Sequence, residues 1–290
     1  MIQPARSLDD PRPVQRATPL SGALRFARKD WPLLLIGAWG VAILLPGVFA
    51  RHDPIALDLY NALLPPSWNH PLGTDEAGRD LWARCIWGIR YSLGISIAIV
   101  LGAAAVGTIV GGFAGLMRGP VDYLLMRTTD VFLAFPYLIL AIAIASAVGT
   151  GLTTVVVALM LVWWPGYARM VRGQVLSLKE LAFVEGARAA GTSTTMILLR
   201  HLLPHLLPQL CARVSMDVGY AVLALTGMSF LGLGAQPPTP ELGAIIADAR
   251  SHLLAAWWYT TLPGVFVLAM VLSSMTVSDW LEARNKSQFS

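Results

Sequence analysis

The sequence predicts an all-α polytopic membrane protein: six transmembrane helices, both termini cytoplasmic, and a long cytoplasmic loop between helices 4 and 5. Three observations carry that prediction. Of 290 residues, 56% are hydrophobic and only 13% charged, against about 25% charged in an average soluble domain. A water-facing fold of this composition would be left with large bare apolar patches. Six stretches reach or approach the roughly 20 apolar residues needed to cross about 30 Å of hydrocarbon. The basic residues gather on one side of those stretches. The same figures exclude a disordered chain, and Cys85 and Cys211 offer neither a disulfide framework nor a thiolate cluster for a metal.

The spans follow in order. Residues 31–49 and 91–116 carry no charge, and the many Gly, Ala and Ser residues of the second would let a neighbouring helix approach closely. Residues 131–148 and 152–168 are also uncharged and are separated only by Gly149, Thr150 and Gly151, which predicts a helical hairpin with a tight turn at the membrane surface. Residues 210–234 hold one Arg and one Asp. Residues 257–281 open on a Trp-Trp-Tyr interfacial belt and stay uncharged until Asp279. The division expected is a tail over 1–30, a first anchor and outer loop over 31–90, a five-helix transmembrane domain over 91–281 and a second tail over 282–290.

Six spans place both ends on one side. Fifteen basic residues fall there: Arg6, Arg12, Arg16, Arg25, Arg28, Lys29, Arg118, Arg127, Arg169, Arg172, Lys179, Arg188, Arg200, Arg284 and Lys286. Only Arg51, Arg79, Arg84, Arg90 and Arg250 fall on the other. The positive-inside rule makes the first side cytoplasmic, so the net charge of +4 is largely a topology signal and no nucleic-acid partner is needed to explain it. The first 30 residues show no short apolar core followed by a small-residue cleavage site, so the first span is expected to remain as an anchor.

Three segments are longer than simple connections: 50–90 and 235–256 outside, and 169–209 inside. Loops of this kind carry function more often than the scaffold does. No Gly-x-x-x-x-Gly-Lys-Ser/Thr cradle occurs, so ATP would have to be handled by another subunit, and the chain is expected to hold no cofactor of its own. His201 and His205 stand four apart, but Pro204 lies between them and no Glu or third ligand accompanies them, so no metal residue is assigned. No Ser or His sits in a nucleophile elbow, which disfavours a membrane-embedded hydrolase and any catalytic residue.

The inner loop reads YARMVRGQVLSLKELAFVEGARAAGTSTTMILLRHLLPHLLP. Its Ala, Leu, Glu and Arg content favours helix, with Gly191 as a stop and Thr192-Ser193 as a fresh cap, predicting two short helices in a compact knob. Taken alone, the knob is either a solvated connector or a docking surface. Glu185-Gly186-Ala187, then three residues, Gly191, nine residues and His201-Leu202-Leu203-Pro204 resembles the EAA loop of ABC importer permeases, with Gly186 where the pattern has Ala and His201 where it has Ile. That resemblance implies a coupling helix over about Glu185 to Arg200, with Glu185, Gly186, Ala187, Gly191, Leu203 and Pro204 carrying the pattern.

Two further stretches, HPLGTDEAGRD from His70 and SFLGLGAQPPTPELG from Ser229, resemble the C-type permeases of dipeptide, oligopeptide and nickel uptake systems. The resemblance spans roughly residues 31–281 and implies a second permease subunit, two ATPase subunits, an extracytoplasmic substrate-binding protein and a place in the inner membrane. Thr74 and Asp75 suit the N-cap of a helix beginning near Glu76, in which Asp75, Glu76, Arg79 and Asp80 satisfy one another. Alternatively, that acidic loop contacts the binding protein or partner permease. Gly232 and Gly234, followed by Pro237, Pro238 and Pro240, should end the fifth span abruptly. Within that span Arg213 and Asp217, four apart, either pair structurally or place Asp217 on the substrate path. Expected overall is half the pore of an ATP-driven importer of dipeptides or oligopeptides, with nickel or a metal chelate as the alternative cargo. An ion-driven transporter would also fit the composition, but only one acid lies well inside a span and no paired broken helices recur.

Overall fold

The computed structural model describes residues 19–117 and 119–286, those before residue 30 by their backbone alone. Arg6, Arg12, Arg16 and Arg118, part of the topology signal, lie outside the described residues. Among the described residues the chain is helical, and the one strand-like feature is an isolated bridge between Thr74 and Asp80.

Helix α1 (Pro19–Leu44) is followed by the single turn α2 (Pro46–Phe49). The break falls at Leu45, because a residue preceding proline is pushed out of the helical region. The apolar part of α1, Asp30–Leu44, rises only about 22 Å at 1.5 Å per residue. The predicted first span is thus a short helix, a kink and one extra turn.

Helix α3 (Leu81–Met117) is far longer than the span predicted inside it. The third predicted span needs correction. Residues 131–133 close helix α4 (Pro120–Leu133), and α5 (Tyr137–Val148) departs from it at 88°. Pro136 causes the break, since it lacks a donor and excludes helix at Phe135. The hairpin at Gly149 and Gly151 forms as expected, both glycines having positive φ, and leads into α6 (Leu152–Leu178).

After α7 (Ala182–Ala189) the chain turns at Gly191 and restarts as the short α8 (Thr194–Met196), capped by Ser193. The second helix predicted for the knob is not separate: α8 runs through a π-helical turn, Ile197–Leu202, into α9 (Leu203–Phe230). The π turn sits just ahead of Pro204, whose ring cannot complete the ordinary ladder. A short α10 (Leu242–Ala249) and a long α11 (Trp257–Lys286) complete the chain. Four helical runs, beginning at Leu81, Leu152, Thr194 and Trp257, are long and apolar enough to cross a membrane, and the bent α4–α5 pair makes a fifth.

The core forms where α3 lies along α6. A Cβ on Gly107 or Gly111 would collide with the α6 backbone at Trp164 and Ala168, so glycine alone permits this approach. Lower on α3, Gly112 receives Leu198 and Gly115 receives Val175. Helix α11 closes on α9, where Ser278 Oγ donates to Ala212 O at 2.8 Å. Leu34, Ile139, Leu223 and Leu268 point outward, and only 28% of the most apolar stretch of α11 is buried. Such faces need lipid or another subunit to cover them.

Candidate functional site

The end of the bundle that the positive-inside rule expects to face the cytoplasm, termed the inner end, is built around the bend between α6 and α9. Lys179, buried just past α6, donates its Nζ to Gly115 O on α3 and fastens the bend to the bundle. Helix α7 buries Val184 completely and leaves Glu185, Gly186 and Arg188 exposed. Gly191 has φ +76, a left-handed conformation that favours glycine. Its N–H donates to Arg188 O at 2.9 Å and that of Thr192 to Ala187 O at 3.0 Å, the paired bonds of a Schellman stop. Ile197, Leu198 and Leu202 turn into the core, while Leu181, Met196 and Leu199 stay exposed, as do Glu185 and Arg188. Of the other pattern residues, Ala187 and Leu203 are half-buried and Pro204 is exposed. The result is a hook tied to α3 on its inner side, whose exposed residues are a mixture of apolar and charged side chains.

The two histidines of this region are not arranged as a metal pair. His205 donates Nδ1 to His201 O at 2.8 Å and stacks on Phe183 at 5.2 Å between ring centroids. Salt bridges join α6 to α4: Arg172 binds Asp122 through two nitrogens, at 2.5 and 2.6 Å, and Arg169 reaches Asp130 at 2.6 Å.

Midway along the bundle, Arg213 donates Nε to Asp217 at 2.8 Å, and Asp217 is only 1% exposed. The pair does more than satisfy itself. It lines a cavity of about 300 Å³ together with Tyr137, Trp163, Gly166 and Tyr220. Tyr137 enters because the Pro136 break swings α5 towards α6, where its ring lies 5.1 Å from that of Trp163. An acid, a cation and aromatic faces therefore converge from three helices. The aromatic members carried no signal in the sequence, since their spacing becomes meaningful only once the bend is known.

The outer end is locked by buried charge. The helix expected to begin near Glu76 starts instead at Leu81, with Asp80 as its cap: Ala83 N–H donates to Asp80 Oδ2 at 2.8 Å. Residues 74–80 form a tight loop because Gly73 and Gly78 have positive φ, and a Cβ on either would strike neighbouring backbone, at Leu64 and Asp58 respectively. Asp75, fully buried, accepts from the backbone N–H of Ala77 and Arg79, both at 2.9 Å, and from Arg79 Nε at 2.6 Å. Arg84 Nε lies 3.2 Å from the same carboxylate. Of the four predicted outer-loop residues, Asp75, Arg79 and Asp80 are buried and only Glu76 is exposed. Asp248 on α10 faces this group, and its carboxyl is pushed above the usual carboxylate range by burial and then by the charge of Glu76.

The second outer motif closes on α3. Ser92 Oγ donates to Glu241 Oε1 at 2.7 Å, and Ala244 N–H donates to Glu241 Oε2 at 3.0 Å, capping α10. Helix α9 stops at Phe230, and Gly232, at φ +81, turns the chain as the glycine-proline pattern predicts. Glu241 was missed by sequence reasoning because its partner Ser92 lies 149 residues away.

Long apolar helices, an exposed hook at one end, a locked cap at the other and a polar-aromatic cavity between them define a polytopic membrane transport subunit. Comparison with known proteins gives its family. Residues 107–287 match the family described as binding-protein-dependent transport system inner membrane component. The chain is 37% identical over 260 residues to the probable D,D-dipeptide transport system permease protein DdpC of Escherichia coli (strain K12), a match covering 88% of this chain and 87% of that protein. It is 38% identical over 253 residues to the nickel transport system permease protein NikC of the same strain, covering 86% and 90%. It is 40% identical over 216 residues to the glutathione transport system permease protein GsiD of Pectobacterium atrosepticum, covering 74% and 72%. Among solved structures, an inward-facing MetNI methionine ABC transporter shares the fold at a TM-score of 0.55 and 20% identity, covering 68% of this chain and 94% of that one. The chain belongs to the family of inner membrane components of binding-protein-dependent transport systems, and is a multi-pass permease subunit of an ABC importer.

Proposed function

We propose that this chain forms one half of the translocation path of an importer whose cargo is a dipeptide or oligopeptide. It would pair with a second, homologous permease, dock two ATPase subunits on the cytoplasmic face and receive cargo from an extracytoplasmic binding protein. The chain would contribute no catalytic residue and no cofactor, with ATP and Mg²⁺ handled by the ATPases. Six membrane crossings with cytoplasmic termini are the arrangement adopted here, α1 serving as the anchor and the bent α4–α5 pair as one crossing.

The observation that carries the reading is the hook. Its outer face, around Glu185 and Arg188, is exposed, whereas its inner face is fixed to α3 through Leu198 on Gly112 and Lys179 on Gly115 O. A push delivered on Glu185 by a closing ATPase would therefore move α3 and α6 as one body and change access to the cavity at Asp217. That cavity suits a peptide: Asp217 offers a partner for an ammonium group, and Trp163, Tyr137 and Tyr220 offer faces for cations or side chains. Nickel or a metal chelate is the second reading, favoured by the likeness to a nickel permease. On the outside, Glu76 is the residue of the first motif left accessible to a binding protein.

The test is a Glu185→Lys variant of the complete importer in liposomes, with uptake of radiolabelled dipeptide and of nickel measured beside ATP hydrolysis. Uptake should fall at least tenfold while the assembled complex remains folded and the dipeptide, not nickel, is the wild-type cargo. Normal coupled uptake in the variant would remove the docking role, and nickel uptake without dipeptide uptake would replace the cargo.

A further inference from the structure

Beyond transport, we propose that His52, His70 and Asp80 form a site for a divalent transition-metal ion of the zinc, nickel and copper class, which staples the end of the first helix to the start of α3. The proposal does not depend on what the importer carries.

The residues come from two segments far apart in the chain. His52 follows α2, whereas His70 and Asp80 sit in the loop that leads into α3. One ligand atom from each lies within 4.8 Å of the others. His70 Nδ1 is 2.8 Å from Asp80 Oδ1, and His52 Nδ1 is 3.8 Å from Asp80 Oδ2. Bonds of about 2.1 Å in a tetrahedral site place neighbouring ligand atoms about 3.4 Å apart. The first pair would open by about half an ångström, the second, to the other carboxylate oxygen, would close by about as much, and the two imidazole ligand atoms, within 4.8 Å of each other, would draw together by side-chain rotation.

The His70–Asp80 contact alone would be an ordinary structural hydrogen bond. His52 is what that account leaves unexplained. At 3.8 Å it is too far from the carboxylate for a hydrogen bond. Its ring nevertheless stands 5.2 Å from that of His70, tilted by 33°, with both Nδ1 atoms turned to one carboxylate. Two imidazoles converging on a single acid are an arrangement that a shared cation explains.

The donor set and its setting fit such an ion. Imidazole nitrogen suits zinc, copper and nickel, while calcium and magnesium prefer all-oxygen shells. Asp80 is 4% exposed and is held in place by the Ala83 N–H, so its orientation is preset. Three protein ligands leave a coordination position free, and it would face an open cavity of about 760 Å³ lined by Phe49, Trp68, Asn69 and Trp82 as well as His52 and Asp80. Arg51 lines the same cavity and opposes a cation there. It is exposed to solvent, so its charge is well screened. The two segments already touch, Trp82 Nε1 donating to Phe49 O at 2.8 Å, and an ion would add a second, stronger tie across the same junction.

The experiment uses the full-length chain, tag-free, in lipid nanodiscs and stripped with chelator. Co(II) is titrated as a visible-absorption probe and then displaced with Zn(II). Expected are one ion per chain, the absorption of histidine-bound, low-coordinate Co(II), and a Tm raised by Zn(II). Asp80 caps α3, so its variants are poor tests, and His52→Ala decides because His52 is half exposed and caps nothing. That variant should keep the metal-free Tm and lose Zn(II) affinity by more than the roughly 100-fold that loss of an outer-shell partner can cost, since it removes a ligand; His70→Ala should also lose Zn(II) affinity, whereas His201→Ala/His205→Ala should bind as wild type. Unchanged Zn(II) affinity in His52→Ala, or no saturable binding by the wild-type chain, would overturn the site.

Discussion

The two ends of the bundle use charge in opposite ways. At the outer end Asp75, Arg79 and Arg84 are withdrawn from water and ion-paired with one another, and Asp80 is fixed as a helix cap. At the inner end Glu185, Arg188 and Arg200 remain exposed on a hook whose hydrogen bonds are nearly all backbone. Buried charge networks hold a loop in one conformation because an unpaired member is so costly. Exposed charge contributes little to folding and is available to a partner. The outer end is thus held in one conformation by buried charge, while the charge of the inner end stays in contact with solvent.

Breaking the outer lock should give the largest effect. Asp75→Ala leaves two buried guanidinium groups without their carboxylate, a change of about 3–5 kcal/mol. Thermal unfolding in detergent should show a much lower Tm, with little monodisperse protein on size exclusion. Glu185→Lys, at the other end, should leave Tm close to wild type, because surface substitutions fall within about 0.5 kcal/mol. Equal Tm values for the two variants would erase the contrast between a structural and a docking end.

Asp217 tests what lies between the ends. Asp217→Asn keeps the shape of the side chain, and Arg213, 44% exposed, can turn its charge outward once the partner is neutral. Stability should therefore change modestly, while peptide uptake should fall about tenfold or more with ATP hydrolysis still stimulated. Full uptake in this variant would reduce the pair to a structural role and leave the cavity without a ligand for ammonium.

How much of this was legible in the chain depends on the range of the interaction. The glycine stop at Gly191 with the Ser193 cap and the hairpin at Gly149 and Gly151 are set by neighbours in sequence, and both appear where expected. Helix lengths were underestimated because hydrophobicity marks only the part a bilayer could cover, whereas α3 begins earlier, across Arg84 and Arg90, and α6 runs further, across Arg169 and Arg172. The 88° bend at residues 134–136 was hidden inside an apolar run, its only mark a single proline. The cap was misread because helical spacing makes Asp75 and Arg79 look like an exposed pair, when two positive-φ glycines fold them inward instead. The cavity residues and the His52 cluster come from segments that only the tertiary fold brings together.

The finest contrast lies within the hook itself, between two glycines with open space around both. Neither Gly186 nor Gly191 has any atom within 4 Å of an added Cβ, so sterics cannot separate them. Backbone conformation does. Gly186 lies inside α7, where alanine is favoured over glycine by about 1 kcal/mol, so Gly186→Ala should stabilise the helix and slow amide exchange across Ala182–Ala189. Gly191 stands at φ +76, where a Cβ is disfavoured by about 1 kcal/mol, so Gly191→Ala should loosen the same segment. Gly191→Pro should loosen it further, since proline can neither adopt that φ nor donate to Arg188 O. If a firm hook is what transmits force, coupled uptake should rank Gly186→Ala at or above wild type, then Gly191→Ala, then Gly191→Pro, with Tm nearly constant across the first three. A ranking that followed Tm rather than hook exchange would show that the whole bundle, not the hook, limits coupling.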